Sequence, residues 1–350
     1  MVKMNFRKII AKYTALVTAA VLAAGMTACR DDYTREGGEI TTGDVEYLAT
    51  ATVTHTAEAT DILADAVSGG ENVIFDREGR TVEIPDSIDT IVSAAPSITE
   101  ILTGLGLGSR IIAADIYSAD VEGIDPEICT LDFYNLNIEE LAALEPDLVI
   151  LSGMSMGSAE DPYAALKDVG VNVVYIPTSN SIDAVKLDIE FLAGYTGTQE
   201  AGAELISDID TVIAKVSEKA DGISGKKTVY FEISEAPYMY TCGRGTFIDE
   251  VITLIGAENI YGGEEGWLSN SEESVIAADP DVIISSVAYE GYDFNEIKTR
   301  AGWEGISAIQ NGEVYSVDSN AVSRPSQHIA DGIREIAVVV YPEVYGDIFE

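Results

Sequence analysis

Histidine is almost missing from this sequence: 350 residues hold two, His55 and His328. Cysteine is nearly as scarce, at Cys29, Cys129 and Cys242, and 20 basic residues face 60 acidic ones. Each shortage excludes something. A histidine-dependent active site or metal cluster has only His328 to draw on, because His55 lies in a stretch without periodicity. Three cysteines do not make a disulfide framework, so Cys129 and Cys242 are expected to be free. A net charge of −40 repels nucleic acid and anionic lipid headgroups alike, which removes nucleic acid as a partner. Long apolar runs are also wanting. The most apolar one, from Tyr13 to Ala24, is too short to span a bilayer comfortably.

That run has a context. Lys3, Arg7, Lys8 and Lys12 precede it, and Met26-Thr27-Ala28-Cys29 follows. A basic start, a short apolar centre and small residues at the exit read as a secretory signal. The ending resembles a bacterial lipobox, with Met26 where leucine is usual, and implies lipidation of Cys29 after removal of residues 1–28. Residues 29–72 are rich in Thr, Ala, Gly, Asp and Glu, and read as an acidic flexible tether.

Beyond the tether the chain repeats a phrase. Residues 138–153 read IEELAALEPDLVILSG and residues 272–287 read EESVIAADPDVIISSV. Registered on Pro146-Asp147 and Pro280-Asp281, Glu139 falls on Glu273. Each copy is a short amphipathic helix, a proline break and an apolar run of strand length, the helix-to-buried-strand step of an α/β layer. A hairpin over VIFD and REGRTVEIP, turning at Glu78-Gly79, opens the folded part. A strand at 89–95 leads into a helix with a capping box over Ser97-Ile98-Thr99-Glu100. A strand at 110–114, a helix at 161–169 and the strand VNVVYIP complete an N-terminal lobe over residues 73–180. Residues 181–226 read as helices broken at 194–197, with Leu205, Ile209, Val212, Ile213 and Val216 on one stripe. A second lobe spans residues 227–350: a strand from Lys227, a helix over 247–254, the second repeat, a strand near 314–317 and a closing helix over 327–340. The expected fold is α/β, with two lobes of mainly parallel sheet flanked by helices and bridged by one long helix. Such a strut favours small lobe movements over wide closure.

IVSAAPSITEILTGLGLG (91–108), NIEELAALEPDLVI (137–150), IGAENIY (255–261), WLSNSEESV (267–275) and SRPS (323–326) together resemble the substrate-binding proteins of ABC importers for cobalamin and ferric siderophores. The likeness covers about residues 73–345. It implies two α/β lobes on one long helix and a monomer without a resident cofactor; no direct metal ligand is assigned, and ligation of ferric iron by a tyrosine hydroxyl stays open. It also implies a metal-chelate ligand between the lobes, and permease and ATPase subunits as partners.

Ligands of α/β layers collect at the carboxyl ends of strands. Here those loops carry Tyr117, Phe133, Tyr134, Met154 and Met156 in lobe one, and Tyr238, Tyr240, Trp267, Tyr289 and Tyr292 in lobe two. Aromatic faces bury flat or greasy chelates well. The resemblance assigns ligand contact to Tyr117, Phe133, Tyr240 and Trp267, lacks a further aromatic at Ser152, and puts Arg324 near the cleft. With few other cations in the loops, mainly Arg244, a neutral or cationic ligand is favoured; corrinoid, hydroxamate and haem stay open. Glu139 and Glu273, capped by Asn137 and Ser271, sit in first turns, where an acid complements the helix dipole. The resemblance adds permease docking to both. Two rival classes fit the residues less well. A tetrapyrrole chelatase lacks residues for catalysis: Ser326 and His328 are too close to act as nucleophile and base, and the carboxylates Glu232 and Glu235 have no second cue. A structural or adhesive lipoprotein leaves the aromatic loops unexplained.

Overall fold

The computed structural model describes residues 73–135, 138–153, 163–289 and 291–349, all within the unit Thr60–Glu350. Cys29, the signal segment, the tether with His55, Asn137, Met154 and Met156 lie outside the described residues.

The chain opens with a hairpin of β1 (Val73–Phe75) and β2 (Thr81–Glu83), closed by the Asp76 N–H to Arg80 carbonyl bond and by Gly79 at φ 75°. It continues through β3 (Ile91–Ser93), α1 (Pro96–Gly104), β4 (Ile111–Asp115), β5 (Cys129–Leu131), α2 (Ile138–Ala142), β6 (Leu148–Ser152), α3 (Ala164–Asp168) and β7 (Asn172–Ile176). These strands form one sheet in the order β5-β4-β3-β6-β7, every pair parallel. β3 and β6 are wholly buried, which is why they read as unbroken apolar runs.

Two helices follow, α4 (Ile182–Thr196) and α5 (Gln199–Ala220), separated by Gly197 in the left-handed region at φ 74°. Ser181 caps α4 through its hydroxyl. At 1.5 Å per residue α5 runs about 33 Å, enough to bridge two lobes. It buries Gly202, Ile209, Val212 and Val216, with Leu205 and Ile213 half-buried beside them, as the stripe requires. Its neighbours include α1 on one side and helices of the second lobe on the other.

The second lobe contains β8 (Thr228–Glu232), β9 (Tyr240–Cys242), α6 (Phe247–Leu254), β10 (Glu258–Asn259), β11 (Trp267–Ser269), α7 (Glu272–Ala278), β12 (Val282–Ser285), α8 (Asn295–Thr299), α9 (Ser307–Asn311), β13 (Val314–Ser316), α10 (Ser319–Ser323), α11 (Ile329–Val340) and α12 (Pro342–Tyr345). Its main sheet runs β10-β8-β12-β13, all parallel, while β9 and β11 make a separate antiparallel ribbon. The two parallel sheets share one large core through α4 and α5, and each keeps a smaller core on its other face.

The repeated phrase is the same in hydrogen bonds as in letters. In lobe one the Thr90 N–H and hydroxyl donate to Asp147 Oδ2 at 2.8 and 2.9 Å, and the Asp147 N–H returns a bond to Thr90 Oγ1 at 2.9 Å. In lobe two the Thr228 N–H and hydroxyl donate to Asp281 Oδ2 at 2.8 and 2.9 Å, and the Asp281 N–H returns to Thr228 Oγ1 at 3.0 Å. The residue before each proline, Glu145 and Asp279, has a positive φ of 50° and 46°. Each proline-aspartate thus ties the start of one central strand to the start of its neighbour.

One expectation about local structure changes. The helix after β3 has no capping box. Pro96 opens it with Ala95 as N-cap, and no side chain bonds there. A proline at the first position already supplies the helical φ and needs no hydrogen bond. Glu100 is released from that duty and is buried at 5% exposure against lobe two. Ser271 caps its helix as expected, in a reciprocal pair with Ser274. Cys129 and Cys242 are both free, one exposed and one buried.

α4 and α5 touch at Gly202, where a Cβ would collide with the Cβ of Ala193. Gly202→Ala therefore overpacks the base of the strut and should cost about 1–3 kcal/mol. Urea unfolding monitored by circular dichroism checks this; a wild-type midpoint would contradict the tight approach.

Candidate functional site

Parallel strands put their carboxyl ends on one edge. In lobe one that edge carries Asp115 at the end of β4, a single turn of 3-10 helix at Ile116–Ser118 with Tyr117, and the turn after β5 with Asp132, Phe133 and Tyr134. In lobe two it carries Glu232 at the end of β8 and Glu235 after it, and Tyr289 and Tyr292 after β12. The β9–β11 ribbon adds Tyr240, paired across it with Ser269, and Trp267, paired with Cys242.

The two edges meet. Trp267 Nε1 donates to Oδ1 of Asn180, which follows β7, at 3.4 Å. Arg324, between α10 and α11, donates to the Tyr117 carbonyl at 3.2 Å. Trp267 stacks edge-on against Phe247 at 5.7 Å and accepts the Tyr240 hydroxyl on its carbonyl at 3.3 Å, so the ribbon holds both rings in fixed relation. Tyr117, Tyr240 and Trp267 are all half-buried, while Tyr238, Tyr134 and Tyr289 are exposed. Tyr289 packs on Tyr292 with ring centroids 5.4 Å apart and donates its hydroxyl to Glu235.

Phe133 is placed differently from the expectation. It is 6% exposed and belongs to the smaller core of lobe one, with Leu141, Val149 and Tyr175. The ring that faces outward from this turn is its neighbour Tyr134. Two adjacent turn residues point apart, and the sequence alone could not say which aromatic went in. Burial raises the Tyr134 hydroxyl to about 12, with Asp115 and Tyr117 adding to the effect. Asp115 is 3% exposed, accepts the Tyr117 N–H at 2.9 Å, and is pushed up to about 6 by burial.

Arg324 is not a free cation. Its guanidinium bonds Glu100 Oε1 at 2.8 Å and Asp120 Oδ1 at 2.8 Å, both from lobe one. Arg244 is paired as well, with Glu265 at 2.6 Å. Sequence reasoning missed a third arginine. Arg300 grips the buried Glu232 by two bonds, at 2.7 and 3.2 Å, and lies 4.3 Å from the centre of the Trp303 ring. Burial raises the Glu232 carboxyl and the Arg300 bonds oppose it; Arg300, despite its own burial, is raised by Glu232. With Glu232 bound to Arg300 and Glu235 to Tyr289, the carboxylate pair weighed for catalysis is used in structure. Ser326 donates to Glu100 at 2.6 Å, while the His328 ring turns to Asp331 at 3.1 Å, so they form no nucleophile–base pair.

Glu139 and Glu273 are both exposed in the first turns of α2 and α7. Hydrogen bonds from its own backbone N–H and from Ser271 hold the Glu273 carboxyl below its usual range. Ser152 is buried at the end of β6, at the position where an aromatic is lacking.

Two parallel α/β lobes on a long helix, with aromatic rings where the strand ends meet, define a two-lobed binding protein. Residues 91–321 match the periplasmic binding protein family, and the chain belongs to it. It is similar to an uncharacterized ABC transporter substrate-binding lipoprotein, YvrC, of Bacillus subtilis (strain 168): 30% identical over 277 residues, 78% of this chain and 86% of that one. It is similar to a vitamin B12-binding protein of Vibrio campbellii (strain ATCC BAA-1116), 27% identical over 248 residues, 70% of this chain and 87% of that one. Among solved structures, a possible iron-binding (periplasmic solute-binding) protein of Staphylococcus epidermidis ATCC 12228 superposes with a TM-score of 0.64 at 31% identity, covering 73% of this chain and 100% of that one. The chain is a substrate-binding protein of an ABC importer, and not an enzyme.

Proposed function

We propose that this protein is the lipid-anchored, extracytoplasmic receptor for a neutral or cationic metal chelate, a corrinoid or a ferric hydroxamate, delivered to an ABC permease and its ATPase. The observation that carries the ligand class is the state of the arginines. Each arginine of the strand-end loops, Arg244, Arg300 and Arg324, already holds a carboxylate. An anionic chelate would meet Asp115 and a net charge of −40 with no uncommitted arginine among the described residues of those loops. The rings of Tyr117, Tyr134, Tyr240 and Trp267 offer apolar faces and hydroxyls to a chelate shell, worth about 25 cal/mol per Å2 of apolar area covered. Similarity to a B12-binding and to a possible iron-binding protein supports this class. Cys29 carries the anchor, in keeping with the lipoprotein YvrC. Glu139 and Glu273, one acid per lobe at matching helix starts, dock the loaded receptor onto arginines of the permease.

Tyr240→Ala with Trp267→Ala tests the wall. Aquocobalamin and ferrioxamine B are the probes, titrated into wild type and variant by calorimetry. The chelate that binds wild type should bind the double variant at least tenfold more weakly, about 1.4 kcal/mol or more. Equal affinity would move the site elsewhere.

A further inference from the structure

We propose that Arg324 is a positioning residue: it fixes the spacing of the two lobes and, by the same guanidinium, holds the backbone of the ligand-wall residue Tyr117. The second half of this rests on the functional reading above; the first does not.

The geometry is a seam beside the strut. Arg324 Nη1 donates to Glu100 Oε1 at 2.8 Å; Nη2 donates to Asp120 at 2.8 and 3.1 Å and to the Tyr117 carbonyl at 3.2 Å. The other Glu100 oxygen takes the Ser326 hydroxyl at 2.6 Å, and the Glu100 carbonyl takes Gln327 Nε2 at 2.8 Å. Asn320 adds a bond to Asp120 at 2.9 Å. Four consecutive or near-consecutive lobe-two residues thus hold one helix and one loop of lobe one. The Arg324 side chain is 14% exposed and that of Glu100 is 6% exposed, so water does not readily replace these bonds. α1, α5 and Gln327 converge there: a Cβ added at Gly104 would lie 3.0 Å from both Gln327 Nε2 and Leu205 Cδ1.

A rigid planar fork satisfied by three acceptors on two separate segments closes at one lobe spacing only. Hydrogen bonds weaken steeply beyond about 3.2 Å, so a shift of about 1 Å across the seam breaks the set. Partial burial raises the Asp120 carboxyl, yet the Arg324 bond and charge bring it below its usual range. A bridge that served stability alone would have no reason to include Tyr117. Here the bonds to Asp120, which join the lobes, and the bond to the Tyr117 carbonyl share one nitrogen, Nη2.

The test uses the full chain carrying Cys29→Ser. Spin labels go on the exposed native Cys129 in lobe one and on an introduced Asn311→Cys in lobe two, while the fully buried Cys242 stays unlabelled. Arg324→Lys keeps the charge without the fork, and Asp120→Asn weakens one arm at an exposed site and keeps the fold safe. Both should melt near wild type, yet widen or lengthen the inter-label distance distribution without any ligand. Affinity for whichever of aquocobalamin and ferrioxamine B binds wild type should fall about fivefold, the scale of one lost hydrogen bond. Unchanged distances in both variants would overturn the proposal. A fall in affinity without a change in distance would also overturn it, by making Arg324 a direct ligand contact. A change in distance without a fall in affinity would overturn the Tyr117 half. If neither chelate binds wild type, the functional reading fails and the distances still decide the lobe half.

Discussion

Glu139→Ala combined with Glu273→Ala is expected to leave chelate affinity within twofold of wild type and to abolish uptake by cells. Both side chains are exposed in the first turns of α2 and α7, outside the turn and ribbon that carry the proposed ligand wall, so affinity should hold. What is lost is the pair of matched anions. A permease with two-fold symmetry offers the same cationic patch twice, and two lobes with the same helix start answer it twice. Charge-assisted pairs of this kind set orientation as well as energy. Either single variant leaves one grip and should reduce uptake without ending it. Each substitution also removes a favourable helix-dipole contact at an exposed site, too weak to unfold a lobe. Uptake by a strain lacking the native receptor measures the outcome. Transport at wild-type rate by the double variant would show that the acids are only helix complements.

The second large effect is on stability. Arg300→Met should destabilise lobe two by about 3–5 kcal/mol, because it strands a buried carboxylate. Glu232 is fully buried and the Arg300 side chain is 11% exposed, so the partner cannot be replaced by bulk water. The same arginine covers one face of Trp303, itself fully buried, so packing is lost along with charge. Substituting both members, Arg300→Met with Glu232→Gln, removes the stranded charge and should recover most of the loss. Urea unfolding of the three proteins checks this. A single variant within 1 kcal/mol of wild type would mean that the pair is hydrated in solution.

The architecture was legible because its signals are local. Unbroken apolar strands, the Gly197 break, the strut stripe and the twice-used proline-aspartate each lie within a dozen residues, and each forms the element expected of it. The repeat proved deeper than its spelling, since Thr90 and Thr228 answer the two aspartates in the same way. The aromatic loops were legible as loops. Which ring of the turn stays exposed was not: Phe133 and Tyr134 are adjacent, and their opposite burial depends on how the turn after β5 sits on the core. Arg324 was found at the seam, but its partners Glu100 and Asp120 lie 224 and 204 residues away. No periodicity connects residues so far apart. For the same reason Glu100 read as a helix cap, and Arg300, 68 residues from Glu232, drew no notice.

Titration of the purified wild-type protein with chelates of graded charge tests the central claim most directly. Trp267 is the reporter, half-buried in the proposed ligand wall, while Trp303 is enclosed in the core of lobe two. Cationic aquocobalamin or ferrioxamine B should quench the fluorescence and saturate at one ligand per protein, with a triply anionic ferric catecholate far weaker. Tight, stoichiometric binding of the catecholate, with neither cationic chelate bound, would contradict the account.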